Sequence, residues 1–166
     1  MTVRRPPPSR PPLLGKIPNS IFAENWGDQP FVESTGSWYW GHGRLGPYSI
    51  VWFDALTPEG VETRSAYLSK DNEILVSSCA AGSITVRPTG NNATYPPHTP
   101  DGPPEGFHIE IEMARGGIFV VDVTPTSLLV NGLGLYYRWA GALKGGVQGG
   151  DTYTGTAVFE QFALIP

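Results

Sequence analysis

The sequence predicts an all-β domain built as an antiparallel barrel, and three features carry that reading. Its 166 residues include 21 glycines and 17 prolines, and both residue types interrupt helices. Aromatic residues make up 11% of the chain, with five Trp and seven Tyr, enough to bury a core and to exclude a disordered chain. Phe107, Ile109, Ile111 and Met113 alternate with His108, Glu110 and Glu112, a period of two with one wet face. No window keeps a helical period. The length is that of one ordinary domain.

Each element follows from local composition. Residues 1–18 are rich in Pro and Arg and read as a disordered, extended tail ahead of a folded domain over 19–166. Ser37 to Leu45 and Tyr48 to Leu56 are strands, being rich in aromatic and branched residues. Thr57-Pro58-Glu59-Gly60 is a turn, Val61 to Leu68 a strand, and Lys70-Asp71-Asn72 the next turn. Ile74 to Ser78 and Ser83 to Arg87 continue the series. Pro88 to Glu105 holds six of the seventeen prolines and reads as a long loop, a flap or a rim. After the alternating strand, Arg115-Gly116-Gly117 turns the chain into Ile118 to Thr124. Ser127 to Val130, Leu135 to Trp139, Gly145 to Gly150 and Thr156 to Leu164 complete a meander of about eight to ten strands.

Charge and motifs exclude several function classes. Eleven basic against fifteen acidic residues give a net charge of −4, a poor footprint for a nucleic-acid binder. The N-terminus has arginines but no apolar core of a signal peptide, and no apolar run suits a membrane helix. Asn92-Ala93-Thr94 matches a glycosylation sequon by chance, and a cytoplasmic location is expected. The single cysteine, Cys79, reads as a small buried hydrophobe. Gly41-His42-Gly43-Arg44-Leu45-Gly46 spells a dinucleotide-binding pattern, but a strand follows it where a helix is required. Its glycines are expected to permit a bend or bulge in the strand. His42, His98 and His108 have no partner at metal-ligand spacing, so no metal is expected. Glu110 and Glu112 share an exposed face and read as solvated.

What remains is aromatic: Trp38-Tyr39-Trp40, Tyr48, Trp52-Phe53, Tyr136-Tyr137-Arg138-Trp139 and Tyr153. Aromatics with a polar handle suit a pocket for an unsaturated molecule. At these residues the sequence resembles a known family. Residues 37–54, together with Val86-Arg87-Pro88-Thr89-Gly90, Tyr137-Arg138-Trp139-Ala140-Gly141, residues 145–150 and Phe159-Glu160-Gln161-Phe162, are similar to the fungal lipocalin-like Diels–Alderases, in the carotenoid hydratase superfamily. The likeness runs from about residue 25 to 164 and matches the second of that family's two β domains only. Asn25-Trp26-Gly27 keeps part of a family stretch whose His-Asp pair is absent here.

The resemblance implies a lipocalin-like barrel and a stereoselective intramolecular [4+2] cycloaddition of a polyene intermediate, in fungal polyketide–amino acid hybrid biosynthesis. Such a reaction needs no cofactor. It needs shape and a hydrogen bond to the activated carbonyl. Trp38, Tyr39, Trp40 and Trp139 are the expected walls, with Tyr39 directed opposite to Trp38 and Trp40. Tyr48 and Tyr153 are the expected donors. The expected partners are the small-molecule substrate and either further copies of the chain or a separate chain supplying the family's first domain, without nucleic acid or membrane. The alternative is a non-catalytic binding module, or partner half-domain, for a hydrophobic intermediate.

Overall fold

The computed structural model describes residues 30–98 and 101–165. The tail expected over residues 1–18 and the Asn25-Trp26-Gly27 stretch lie outside the described residues. A one-turn helix α1 (Phe31–Ser34) precedes nine strands: β1 (Ser37–Leu45), β2 (Tyr48–Leu56), β3 (Glu62–Lys70), β4 (Glu73–Ser78), β5 (Ile84–Thr89), β6 (Gly106–Glu112), β7 (Ile118–Gly132), β8 (Tyr136–Val147) and β9 (Tyr153–Ala163). They form one antiparallel sheet in the order β4-β3-β2-β1-β9-β8-β7-β6-β5, so the last strand inserts beside the first. The domain is all-β, as expected, and the sheet curls until β5 touches β2 and β3. Among the described residues no helix is long and apolar enough to cross a membrane.

Strand alternation sorts the side chains. Tyr39 and Leu45 of β1 point inward with Tyr48, Ile50 and Trp52 of β2 and Phe159 of β9, all nearly fully buried. Val86, Phe107, Ile109, Ile111, Phe119 and Val121 close the far side of the same core. Trp38, Trp40, His42 and Arg44 point out. Each large side chain removed from water contributes about 1.5–3 kcal/mol, which is what rolls the sheet.

Three local expectations are corrected. Gly41 and Gly43 produce no bulge, since β1 keeps unbroken register with both β2 and β9. They make room instead: a Cβ on Gly41 would stand 2.2 Å from Trp52 Cζ2 and 2.6 Å from Phe159 Cβ. Second, residues 118–132 and 136–147 are two long strands rather than four short ones. Bulges between Pro125 and Ser127 and between Leu128 and Val130 absorb the proline. Gly141 and Gly145 let β8 pass close to β7, where a Cβ would meet the Thr124 and Val120 carbonyls at 2.4 and 2.1 Å. Third, Cys79 is exposed, because it falls just past β4 rather than within a strand.

Among the described residues no backbone ladder joins the edge strands β4 and β5. Side chains seal the gap. Arg87 of β5 reaches Asp54 of β2 at 3.1 Å and Glu62 of β3 at 3.6 Å, and Tyr95 Oη donates to Glu62 at 2.7 Å or to Asp54 at 3.2 Å. The Arg87 guanidinium also lies 3.7 Å from the Tyr95 ring centroid.

The Gly41→Ala variant is expected to lose about 1–3 kcal/mol by overpacking against Trp52. Urea unfolding measures it, and a wild-type midpoint would show that Trp52 has free space to move.

Candidate functional site

The six residues expected at the site occupy three places. Tyr39 and Trp139 lie in the interior, with Phe107 between them at ring-centroid distances of 5.0 and 6.3 Å. Tyr48 and Tyr153 meet at 5.6 Å at the opposite end of the barrel, where Tyr48 also packs on Phe119. Trp38 and Trp40 stand on the outer face, opposite in direction to Tyr39. The structure does not bring the six together.

At the first end, β-register lines up Arg64, Asp54, Tyr39, Gln161 and Tyr137 across five strands as an inward polar layer. Asp54 is almost wholly buried. Burial pushes its carboxyl above the usual range, and the adjacent Arg87 and the Tyr95 hydroxyl oppose that shift. Burial and the neighbouring Asp54 carboxylate push Tyr95 up to about 12, with Arg87 opposing. Burial likewise raises Tyr39 well above the ordinary phenol range, and its hydroxyl has no hydrogen-bond partner among the described residues. These rings and charges fill the barrel end.

Open space lies on the outer face instead. A groove of about 620 Å³ crosses β1, β2, β3, β8 and β9, lined among others by His42, Arg44, Ser49, Tyr67, Ser69 and Val158. The register explains the assembly: His42 pairs with Val51 and Val158, Val51 with Tyr67, and Arg44 with Ser49 and Thr156. Val51, Ala140 and Val158 give an apolar floor, and the hydroxyl and guanidinium groups supply donors. No carboxylate is among the described lining residues. Burial and then the Arg138 charge hold His42 below the ordinary imidazole value of 6.5, so it is neutral at pH 7. The Trp40 ring lies 5.4 Å from it. The one carboxylate beside Trp40 in the ladder, Glu160, is buried and engaged: it accepts from Tyr136 Oη at 2.7 Å and from Arg138 Nε at 3.1 Å.

Sequence reasoning weighed His42 only as a metal ligand and passed over Arg44, Tyr67, Asp54, Arg87 and Tyr95. The available signal for His42 and Arg44 was the alternation Trp38, Trp40, His42, Arg44, which places them on one face with Trp40.

No protein-family model matches the chain. Over 139 residues, 84% of its length, it is 38% identical to the quinolone epoxide rearrangement protein penF of Penicillium thymicola, covering 38% of that protein. Over 138 residues, 83% of its length, it is 35% identical to the quinolone epoxide rearrangement protein asqO of Emericella nidulans, again covering 38%. The chain therefore spans well under half the length of the curated relatives it matches. Solved structures of CghA share its fold. The complex with Sch210972 gives a TM-score of 0.61 at 14% identity, over 81% of this chain and 42% of that one. A second CghA structure gives 0.63 at 14% identity, over 82% and 42%. The chain is thus similar over most of its own length to part of these two relatives, and it shares the fold of part of the CghA structures.

The family resemblance drawn from residues 37–54 thus stands, while the reaction it implied does not. Both relatives are named for rearranging a quinolone epoxide, which overturns the assignment as a Diels–Alderase. The physical reason lies in the residues that carried the resemblance. Tyr39, Gly41, Gly43, Leu45, Tyr48, Ile50 and Trp52 are the inward half of β1 and β2. They specify how the lipocalin-like barrel packs, and a barrel can host unrelated chemistries.

Two outcomes are expected. Arg87→Met leaves Asp54 buried without its cation and costs about 1–3 kcal/mol at pH 7. Asp54 has a raised folded value, so its ionisation works against folding as pH climbs above 3.8. The Arg87→Met deficit should therefore shrink in acid and in the double variant with Asp54→Asn, as urea melts at several pH values would read. In an NMR titration, His42 should titrate below 6.5. His108, raised by its hydrogen bonds to Asp122 and Glu110 against burial, should titrate above it. The stability His108 contributes is complete below 6.5 and fades as pH rises through its raised value, and Asp122→Asn should bring its midpoint down.

Proposed function

We propose that this domain forms the substrate-holding wall of a cofactor-independent enzyme that rearranges an epoxide on a quinolone-type biosynthetic intermediate. The observation that carries the reading is the 38% identity, over 84% of the chain, to a protein named for that reaction. The groove supports it. Its volume of about 620 Å³ suits a small fused-ring molecule, and its floor is apolar.

The chemistry follows from the donor set. As an epoxide C–O bond breaks, the electron pair moves to oxygen, and donors aimed at that oxygen stabilise the charge that develops there. Tyr67 and Arg44 are the groove's candidates for this task. The carbon left behind becomes electron-poor, and the nearby Trp40 face favours positive charge. Neutral His42 adds no competing cation. With no carboxylate among the described lining residues to attack that carbon, the charge is relieved within the substrate, by migration of a neighbouring group or by internal ring closure. The product is an isomer of the substrate, and any proton lent to oxygen returns to the protein.

The test is incubation of the full chain with a quinolone epoxide, following isomer formation by liquid chromatography and mass spectrometry. An isomer of unchanged mass is expected, with Tyr67→Phe slowing its formation by about a hundredfold. Addition of water, or the absence of both binding and conversion, would overturn the reading. Binding without conversion would restrict the domain to holding the substrate.

A further inference from the structure

The sheet register lays the groove out in two outward rows. Val158, His42, Val51 and Tyr67 form one row across β9, β1, β2 and β3. Two residues along each strand, Thr156, Arg44, Ser49 and Ser69 form the next, and every member of it carries a hydrogen-bonding group. Among the described residues, the side chains of Arg44, Ser49 and Ser69 make no hydrogen bond or ion pair. By contrast Arg64, Arg87 and Arg138 each hold a carboxylate.

Ser69 departs furthest from an ordinary surface residue. It lies beside the outward Ser49, lines the groove and is yet only 7% exposed. Its partner strand is irregular at this step: Leu68 pairs with Val76 and Ser69 with Ile74, so Leu75 is an extra residue on β4. Such bulges bend their strand and recur beside functional sites, where they re-aim side chains. A hydroxyl buried this far without a protein partner costs stability, and the groove is where a partner can reach it.

Spacing says what that partner is. Ser49 and Ser69 are direct cross-strand neighbours, on strands about 4.8 Å apart. Two carbonyl groups separated by one carbon of a six-membered ring hold their oxygens at nearly that separation. Arg44 can only donate, and no carboxylate is among the described lining residues, so the row favours a ligand edge made of acceptors. We propose that Ser49 and Ser69 are specificity-determining residues, each donating to one of two carbonyl oxygens that flank a single ring carbon of the substrate, with Arg44 beside them on β1. This rests on the reading that the groove holds the substrate, and it adds which edge of the ring is gripped. A ring so held lies over Val51, the next outward residue of β2, between His42 and Tyr67.

Isothermal titration calorimetry of the full chain with 3,3-dimethylquinoline-2,4-dione tests it, against the same compound with its carbon-4 carbonyl reduced to methylene. Both compounds are uncharged and nearly equal in shape, and the dione should bind about tenfold more tightly. Ser49→Ala and Ser69→Ala should each lower the dione's affinity about tenfold, and leave the one-carbonyl compound, which can use the remaining serine, within about twofold. Ser69→Ala should leave the urea midpoint unchanged or raise it, since its hydroxyl has no protein partner to lose; a lowered midpoint would reveal one and overturn the inference. Equal affinities for the two compounds would overturn it too, as would variants that weaken both alike, or no binding of either. A chain that isomerises the epoxide without distinguishing the two compounds keeps the epoxide reading and loses this one, and selective binding without isomerisation does the reverse.

Discussion

A sheet that rolls up around its own core has to close the gap between its edge strands, and here ions linking β5 to β2 and β3 do what a backbone ladder would otherwise do. Arg87 spans from β5 to Asp54 and Glu62, and Tyr95 ties both carboxylates to the loop that follows β5. Arg64 adds a second cation on Glu62. The seam makes the layout of the barrel consistent. It explains why one end of an otherwise apolar interior carries a polar layer, and why burying Asp54 is tolerated. The proline-rich loop then serves as a rim rather than a free flap: Asn91 holds Glu105 at 2.6 Å, and Asn92 donates to the Pro103 carbonyl at 3.2 Å.

Among the described residues, the packed interior leaves the open groove on the outer face. Trp52, Tyr39, Phe119 and Phe159 occupy the interior. The side chains that remain available belong to the outer face of β1, β2, β3, β8 and β9. That face is itself braced. Trp38 sits against Phe31, Phe53 and Phe162 at 4.8, 5.6 and 4.7 Å, and Tyr136 stacks on Phe162 at 4.3 Å. Two residues along β1 from Trp38, Trp40 is flanked in the ladder by Phe53 and by the Glu160–Arg138 pair. The groove beyond it therefore has a braced aromatic flank on its Trp40 side, which favours a fixed pose for a flat ligand.

Most of the fold was legible. Ser37 to Leu45 and Tyr48 to Leu56 were readable to the residue, because aromatic and branched runs meet at the Gly46-Pro47 turn. β7 and β8 were not, since Pro125 and the glycines of 141–146 are local signals of interruption. Only the bulges and the close β7–β8 approach reverse their meaning. The seam was invisible for a different reason: Asp54 and Arg87 are 33 positions apart and meet only after the sheet has curled. The groove draws on five stretches of chain, and no spacing rule links His42 to Tyr67 or Val158. The sequence did place Tyr39 opposite to Trp38 and Trp40, because period two holds whatever the fold.

The same distinction explains why family and reaction came apart. A block such as residues 37–54 is distinctive because glycine, tryptophan and tyrosine interlock there: Trp52 needs the space that Gly41 leaves, and a Cβ on Gly43 would stand 2.6 Å from Leu143 Cδ1. Packing of that kind ties several positions together, so it outlasts changes of substrate. Under the proposed function, reaction type depends on the outward residues between them. His42 and Arg44 can change without disturbing a single inward contact, as can Ser49 and Val51. A family reading that rests on the inward set identifies the barrel, and under the proposed function the outward set on the same strands carries the chemistry.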